Sequence, residues 1–367
     1  MALRAAKDNS EALASMPAEA SSMPPSAVAN AHRVTLRFED GVEKEIEAGP
    51  DEFVLDAALR QGVPLVYQCR SGSCSTCVGQ LVSGTLEMAR DRALSLIAAE
   101  IAEGKRLLCS SHALAPSVVR LHYPSALIYA EERRNFEARV AGVEWPVPSV
   151  AKFAIMLERR AGTSFHAGQY VRIKVPGTEQ WRSYSMCSTP RDLPKMEFLV
   201  RIIPGGLMSE YLQRAREGER LEVEGPLGAF ILHPGKGLHV FVAGGTGLAP
   251  ILAMIDEIRR ASGPKPKMLL SFGCASDKTF FYRDEIELRQ WWIPQLSVRL
   301  SADRVEDPAS GIIQGTPVDA LGAEAMGDPE AAAYLCGPPP MIEGARRRLA
   351  ELGLRPERIY AERFVAS

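Results

Sequence analysis

Three cysteines, Cys69, Cys74 and Cys77, fall within one short loop, and a fourth, Cys109, ends the run Arg106-Leu107-Leu108-Cys109. The spacing is C-x4-C-x2-C followed by a distant Cys, the plant-type pattern for a [2Fe–2S] cluster. Two irons bridged by two sulfides need four thiolates converging from two sides. A tight loop delivers three of them only if its backbone wraps closely and aims N–H groups at the sulfurs. Ser71, Gly72, Ser73, Ser75 and Thr76 are all small and leave room for that wrapping. The alternatives are a zinc site or unrelated free thiols. Zinc usually takes paired C-x2–4-C elements, and no second pair accompanies this loop. A chain with this loop must fold so that Cys109 meets it, and it then handles electrons one at a time.

At 367 residues the chain is long enough for two or three domains. A hydrophobic content of 46% and a charged content of 24% are those of ordinary globular protein. A net charge of −2 gives no sign of nucleic-acid binding. No apolar run approaches the roughly 20 residues of a membrane span, and the N-terminus lacks the apolar core of a signal peptide. Of the seven cysteines, Cys187, Cys274 and Cys336 are left over. An odd remainder without an export signal predicts reduced thiols in the cytoplasm.

Residues 1–31 are rich in Ala, Ser, Met and Pro and read as a flexible tail, with at most a weak helix over Leu3–Leu13. From Arg33 the texture changes. Val34, Leu36 and Phe38 alternate with polar residues, Asp40-Gly41 turns the chain, and Val42, Lys44 and Ile46 return on one face, as in a β-hairpin. Residues 53–61 then have a helical period. A small α+β domain over 32–130 therefore surrounds the cysteines. Over 131–234, short strand-like runs (Ala138–Val140, Phe153–Leu157, Tyr170–Val175, Glu197–Ile203, Arg220–Val223) between Gly and Pro turns predict an antiparallel barrel. Over 235–367 strands alternate with helices: Val240–Ala243, Ile251–Arg260, Met268–Phe272, Asp284–Trp291, Ser297–Leu300, Ala332–Cys336 and Met341–Leu352. That order predicts a parallel α/β sheet.

Several segments stand out beyond the cysteine loop: Phe165-His166-Ala167-Gly168-Gln169-Tyr170, Arg182-Ser183-Tyr184-Ser185, the run Arg201–Ser209 with Gly205 and Gly206, Gly225-Pro226-Leu227-Gly228, the run Ala243–Pro250 with Gly244, Gly245, Thr246 and Gly247, Cys336-Gly337-Pro338-Pro339-Pro340-Met341, and Tyr360-Ala361-Glu362-Arg363-Phe364. In this order they resemble the reductase component of a multicomponent bacterial oxygenase, of the benzoate dioxygenase reductase or methane monooxygenase reductase type. The resemblance covers about residues 33–364. It implies a β-grasp ferredoxin domain, an antiparallel β-barrel that holds FAD, and an α/β parallel-sheet nicotinamide domain.

The resemblance also implies roles. Arg182 pairs with flavin phosphate, Tyr184 packs on the isoalloxazine ring, and Ser185 hydrogen-bonds near N5, with Ser183 between them. A guanidinium fork suits phosphate and an aromatic face suits a flat ring, although alone these four residues fit any exposed strand. Gly205 and Gly206 let backbone N–H groups approach the diphosphate, with Ser209 adding a hydroxyl. Gly225–Gly228 closes the barrel. Gly244, Gly245, Thr246 and Gly247 seat the nicotinamide dinucleotide over a helix N-terminus. As a G-x-G-x-x-G fingerprint this run is a poor match, because Pro250 stands where the last Gly would fall. Cys336 lies near the nicotinamide C4, beside Gly337, and Phe364 shields the flavin until nicotinamide displaces it. Cys187 and Cys274 lack such context and read as structural.

A carboxylate on the ribose hydroxyls favours NADH, and a cation for the 2′-phosphate favours NADPH. Asp277 points to NADH, while Lys278 and Arg283 keep NADPH open. A hydride carries two electrons and the cluster takes one, and flavin bridges the mismatch. The expected path is NADH to FAD to the cluster, and on to a terminal oxygenase or hydroxylase component of Rieske or diiron type, from a monomeric reductase. The stretch Phe38–Glu52 carries seven acids and one Lys, which is either a face that steers a basic partner or a solvated hairpin. A non-oxygenase acceptor such as a deoxysugar dehydratase, and a redox-sensing iron–sulfur protein, are the competing readings; the intact flavin and nicotinamide motifs speak against the second.

Overall fold

The computed structural model describes residues 30–89, 95–129, 134–158, 164–322 and 328–364. The tail lies almost wholly outside the described residues, as does the whole of Leu3–Leu13, where the sequence predicts at most a weak helix. The hairpin forms as its alternation requires: β1 (His32–Arg37) and β2 (Glu43–Ala48) pair antiparallel, with Val34 opposite Ile46. Only Ile46 and Ala48 of β2 are buried, so the apolar face of the returning run starts later than Val42. The helical period becomes α1 (Val54–Arg60), which buries Val54, Leu55, Ala57 and Ala58. Next come β3 (Val78–Ser83), β4 (Leu86–Met88), α2 (Ala98–Ala102), β5 (Lys105–Leu107), β6 (Ser111–Ala113), β7 (Ser117–Arg120) and α3 (Ala126–Tyr129). The main sheet runs β2-β1-β7-β3-β5, with β1 and β7 as parallel neighbours, and β4 pairs with β6. A mixed sheet backed by one helix is the α+β, β-grasp layout expected.

The second sheet is antiparallel, in the order β11-β10-β13-β8-β9-β12. Its strands are β8 (Arg134–Val147), β9 (Val150–Leu157), β10 (Tyr170–Lys174), β11 (Trp181–Ser185), β12 (Lys195–Arg201) and β13 (Arg220–Leu227), with α4 (Leu207–Leu212) before the last. The run Ala138–Val140 proves to be the middle of a strand of 14 residues. Register shifts after Val140 and Glu144 exchange its faces and hide its alternation from the sequence. The expected barrel is not continuously hydrogen-bonded. Among the described residues its end strands meet at the Met186–Phe198 bridge, through the Cys187 N–H, which donates to the Glu197 carbonyl at 2.8 Å, and through the Glu197 N–H, which donates to Ser188 Oγ at 3.0 Å. Gly225–Leu227 lies inside β13 instead of forming a closing turn.

The third sheet is parallel throughout: β14 (His239–Gly244), β15 (Met268–Ser276), β16 (Leu296–Arg304), β17 (Ile313–Gln314), β18 (Ala332–Gly337) and β19 (Ile359–Arg363), in the order β17-β16-β15-β14-β18-β19. Helices α5 (Leu248–Arg260), α6 (Arg283–Trp292) and α7 (Pro339–Glu351) connect them. The strand order reverses between β14 and β18, and ligands of open α/β sheets bind at the carboxyl ends of the strands flanking such a reversal. Gly244 and Gly337 end those two strands.

The ferredoxin domain is packed onto the rest. Ala229 and Ile231, just past β13, are buried in its core. His233 Nδ1 donates to both Glu39 carboxylate oxygens at 2.8 and 2.9 Å, and its ring stacks on Tyr360 at 3.9 Å. Asp40 accepts from the Ser125 hydroxyl and N–H, Glu43 pairs with Arg37, and Glu52 with Arg60. Much of the acidic run Phe38–Glu52 is thus spent within the chain.

Candidate electron-transfer site

The loop after α1 brings the four cysteines together. Cys69 hydrogen-bonds with Cys74 and Cys109, and Cys109 also with Cys77. These contacts pull Cys69 and Cys77 below the ordinary thiol range and push Cys74 and Cys109 above it. Among the described residues no three His, Cys, Asp or Glu side chains are placed to hold one metal ion. The sulfurs form a run of contacts, from Cys74 to Cys69 to Cys109 to Cys77, so that four thiols converge where a cluster with two thiolates on each iron can be held. The Ser71 N–H points at Cys69 Sγ (3.4 Å), and Arg70, Gly72 and Ser75 take left-handed backbone conformations that curl the loop. Cys109 arrives on a short 3₁₀ turn, Leu108–Ser110, between β5 and β6. The loop has one exposed rim, Arg70, Ser71 and Ser73, and one rim turned to the next domain.

That second rim meets β11. Gln68 Nε2 donates to Ser183 Oγ at 3.0 Å, so the residue before the first cysteine touches the Arg-Ser-Tyr-Ser strand. Ser185, buried at the end of this strand, donates to Glu362 Oε2 at 2.9 Å. Glu362 lines the cavity between the domains, and burial pushes its carboxyl up to about 7 against the lowering pull of Ser185. Arg182 meets neutral acceptors, the Trp181 carbonyl (3.0 Å) and Gln180 Oε1 (3.5 Å), and no carboxylate among the described residues. That leaves its charge for an anion. Gln169 of the expected strand entry is buried, accepting the His166 N–H and donating to the Gly228 carbonyl. In the Arg201–Ser209 turn, the Gly206 N–H is spent on the Ile203 carbonyl at 2.9 Å. Ser209 Oγ accepts the Ile203 N–H at 2.9 Å and keeps its own proton to donate. Gly205, at φ 73°, faces open space.

The switch point is built from two loops pressed together. A Cβ on Gly247 would overlap the Cys336 carbonyl, one on Gly244 would lie 2.7 Å from Met341 Sδ, and one on Gly337 would lie 2.9 Å from Met341 Cε. Gly245 alone faces open space, at φ 54°, just before α5. This is a cradle whose floor is protein and whose top a dinucleotide can fill. Cys336 is fully buried, its thiol pushed well up by burial and by Glu362, its register partner on β19. The Phe364 N–H donates to the Gly337 carbonyl at 3.0 Å, which holds the C-terminal aromatic over the same end of the sheet. Ser185, Cys336, Glu362 and Phe364 thus gather at one place. Asp277 does not join them as a ribose acceptor with a free carboxylate. Its Oδ2 accepts the N–H groups of Glu306 and Asp307 at 2.8 Å each, and its Oδ1 that of Lys278 at 2.9 Å, and these bonds hold the carboxyl below its ordinary range. Lys278 pairs with Glu306, and Arg283 with Glu287.

Sequence reasoning missed the contact of Gln68 with Ser183 and the packing of Met341 against Gly244. Both act across long separations that carry no local pattern.

Residues 37–114 match the 2Fe-2S iron-sulfur cluster binding domain, residues 139–231 the oxidoreductase FAD-binding domain, and residues 241–347 the oxidoreductase NAD-binding domain. The chain is 34% identical over 339 residues to the toluate 1,2-dioxygenase electron transfer component of Pseudomonas putida, covering 92% of this chain and 99% of that one. It is 31% identical over 347 residues to the propane 2-monooxygenase reductase component of Rhodococcus jostii, covering 92% and 93%. Among solved structures, an Amycolatopsis cytochrome P450 reductase superposes with a TM-score of 0.65 at 28% identity, covering 91% and 99%. With its cysteine loop, flavin strand and dinucleotide cradle in this order and in contact, the chain belongs to the family of oxygenase electron transfer components, in which a 2Fe-2S ferredoxin domain is fused to an FAD- and NAD-binding reductase.

Proposed function

We propose that this protein is a cytoplasmic, monomeric NADH-dependent reductase that delivers single electrons to the terminal component of a hydroxylating oxygenase. The observation that carries the reading is the contact of Gln68 with Ser183. It sets the cluster loop against the strand whose far end holds Ser185 and Glu362. When bound, FAD accepts a hydride and releases its electrons one by one to a [2Fe–2S] cluster. The chain's residues do the rest. Gly245 leaves room for the pyrophosphate at the start of α5. Arg182 is placed for flavin phosphate, with Gly205 and the Ser209 hydroxyl at the second phosphate contact that distinguishes FAD from FMN. Tyr184 offers its face to the ring. Cys336 and Phe364 close over the site where nicotinamide and flavin must meet. The Ser185 hydroxyl and the Glu362 carboxyl hold a proton there; at about 7, Glu362 can take or give one near neutral pH. Cys69, Cys74, Cys77 and Cys109 hold the cluster, and Arg70, Ser71 and Ser73 present its loop to a partner.

One observation favours NADH over NADPH. The cations that a 2′-phosphate needs, Lys278 and Arg283, are each paired with a glutamate. Relatives of both dioxygenase and monooxygenase systems support an oxygenase acceptor. No helix among the described residues is long and apolar enough to cross a membrane. Replacing Cys77 with Ser tests the order of transfer. Cytochrome c reduction should be abolished and ferricyanide reduction, which needs only flavin, spared. Equal loss of both would sink the order.

A further inference from the structure

Strand β19 touches both halves of the electron path. Successive side chains of a strand point to opposite faces, so Glu362 turns to Ser185 and Arg363 to the ferredoxin domain. The Arg363 side chain is 4% exposed. Its Nη1 donates to Ser75 Oγ at 2.9 Å and its Nη2 to Glu100 Oε2 at 2.7 Å. Ser75 lies between Cys74 and Cys77 at φ 60°, a backbone conformation that a non-glycine residue keeps only where its surroundings fix it. Glu100 is buried too and takes two more cations, Arg346 at 3.2 Å and Lys105 at 3.5 Å. Arg346 also reaches Glu103 at 3.2 Å. Three cations therefore share two carboxylates beside the cluster loop, leaving one net positive charge in a buried place. Burial, with Arg346 beside it, pushes Lys105 down to about 8.

We propose that Arg363 is a positioning residue for flavin-to-cluster electron transfer: it clamps the cluster loop to the strand of the flavin site and raises the reduction potential of the cluster. This inference rests on the function proposed above. In the step concerned, reduced flavin is oxidised by one electron and the oxidised cluster is reduced by one, with no bond broken. The reduced cluster carries one more negative charge, and a buried cation favours it because charges interact far more strongly away from water. The fork of a guanidinium reaches a hydroxyl and a carboxylate at once; an ammonium holds the charge without the fork.

The test uses the full chain with both cofactors and reads potentials with a chemical reductant and mediators, following the EPR signal of the reduced cluster. NADH is not needed, so failure here is distinguishable from failure of the NADH reading. R363Q should lower the cluster potential by the equivalent of a tenfold change in the reduction equilibrium, about 59 mV for one electron, and leave the flavin potential in place. Electron transfer from flavin to cluster in a single turnover should slow about tenfold. R363K should restore the potential but not the rate. E100Q removes the neutralising acid and should raise the potential. A purely structural role would move R363Q and E100Q in the same direction, and that result, an unchanged potential in R363Q, or an equal shift of the flavin would overturn the proposal. R363Q leaves Glu100 with Arg346 and Lys105, so no buried acid is stranded. If its cluster does not assemble, E100Q and R363K carry the same test of sign.

Discussion

Replacing Glu362 with Gln isolates the one carboxyl at the meeting point of flavin strand, nicotinamide loop and C-terminus. Its proton affinity is raised from an ordinary value of 4.5 to about 7, chiefly by burial, with Ser185 opposing. A folded-state pKa above the unfolded one means that the folded chain binds the proton more tightly. The stabilisation is complete below pH 4.5 and is lost as pH rises through 7. At about 1.4 kcal/mol for each tenfold change in affinity, the loss amounts to about 3 kcal/mol, fully felt by pH 8. Gln stays neutral at every pH and keeps an oxygen to accept from Ser185. E362Q should therefore match the parent protein near pH 4.5 and exceed it above pH 7, by roughly 5 to 10 °C in the unfolding transition of the nicotinamide domain. Thermal unfolding of both proteins across pH 4.5–8 measures the difference. A gap that does not widen with pH, or that widens toward acid, would refute the assignment of a buried, proton-holding carboxyl at this position.

Gly247→Ala forces a methyl group into the Cys336 carbonyl; a cost of about 1–3 kcal/mol should lower the melting temperature and raise KM for NADH, read by ferricyanide assay. Gln68→Leu removes the bond to Ser183 at the domain contact. It should slow cytochrome c reduction severalfold and leave ferricyanide reduction unchanged, with a stability loss of about 1 kcal/mol. Glu306→Ala releases Lys278, the cation proposed to meet a 2′-phosphate, from its pair. It should lower KM for NADPH severalfold with little change for NADH, and an unmoved preference would show that discrimination lies elsewhere.

What could be read from the sequence was what is local. Three of the four cysteines proposed to hold the cluster sit within one short loop, the Gly-rich run follows its strand directly, and the terminal motif is a single strand. Elements with one clean period, such as α1 and the helices of the third sheet, were legible for the same reason. β8 was not, because its register shifts reverse the faces midway. Asp277 read as a ribose acceptor because its residue type and place fit. Only the fold shows that the N–H groups of Glu306 and Asp307, some thirty residues on, occupy its carboxylate. The domain contacts, Gln68 to Ser183, Glu39 to His233 and Glu100 to Arg363, join residues more than a hundred positions apart. No periodicity or spacing encodes such pairs. They decide how close the cluster loop comes to the flavin strand, and so the feature most important to function was the least legible.

The direct measurement is an anaerobic NADH titration of the loaded protein, with absorbance and EPR followed together. The account predicts that flavin absorbance bleaches and that a one-electron signal of the reduced cluster grows with it, and that in Cys77→Ser the flavin still bleaches with no such signal. Failure of NADH to bleach either chromophore, or a cluster signal that persists without Cys77, would contradict it.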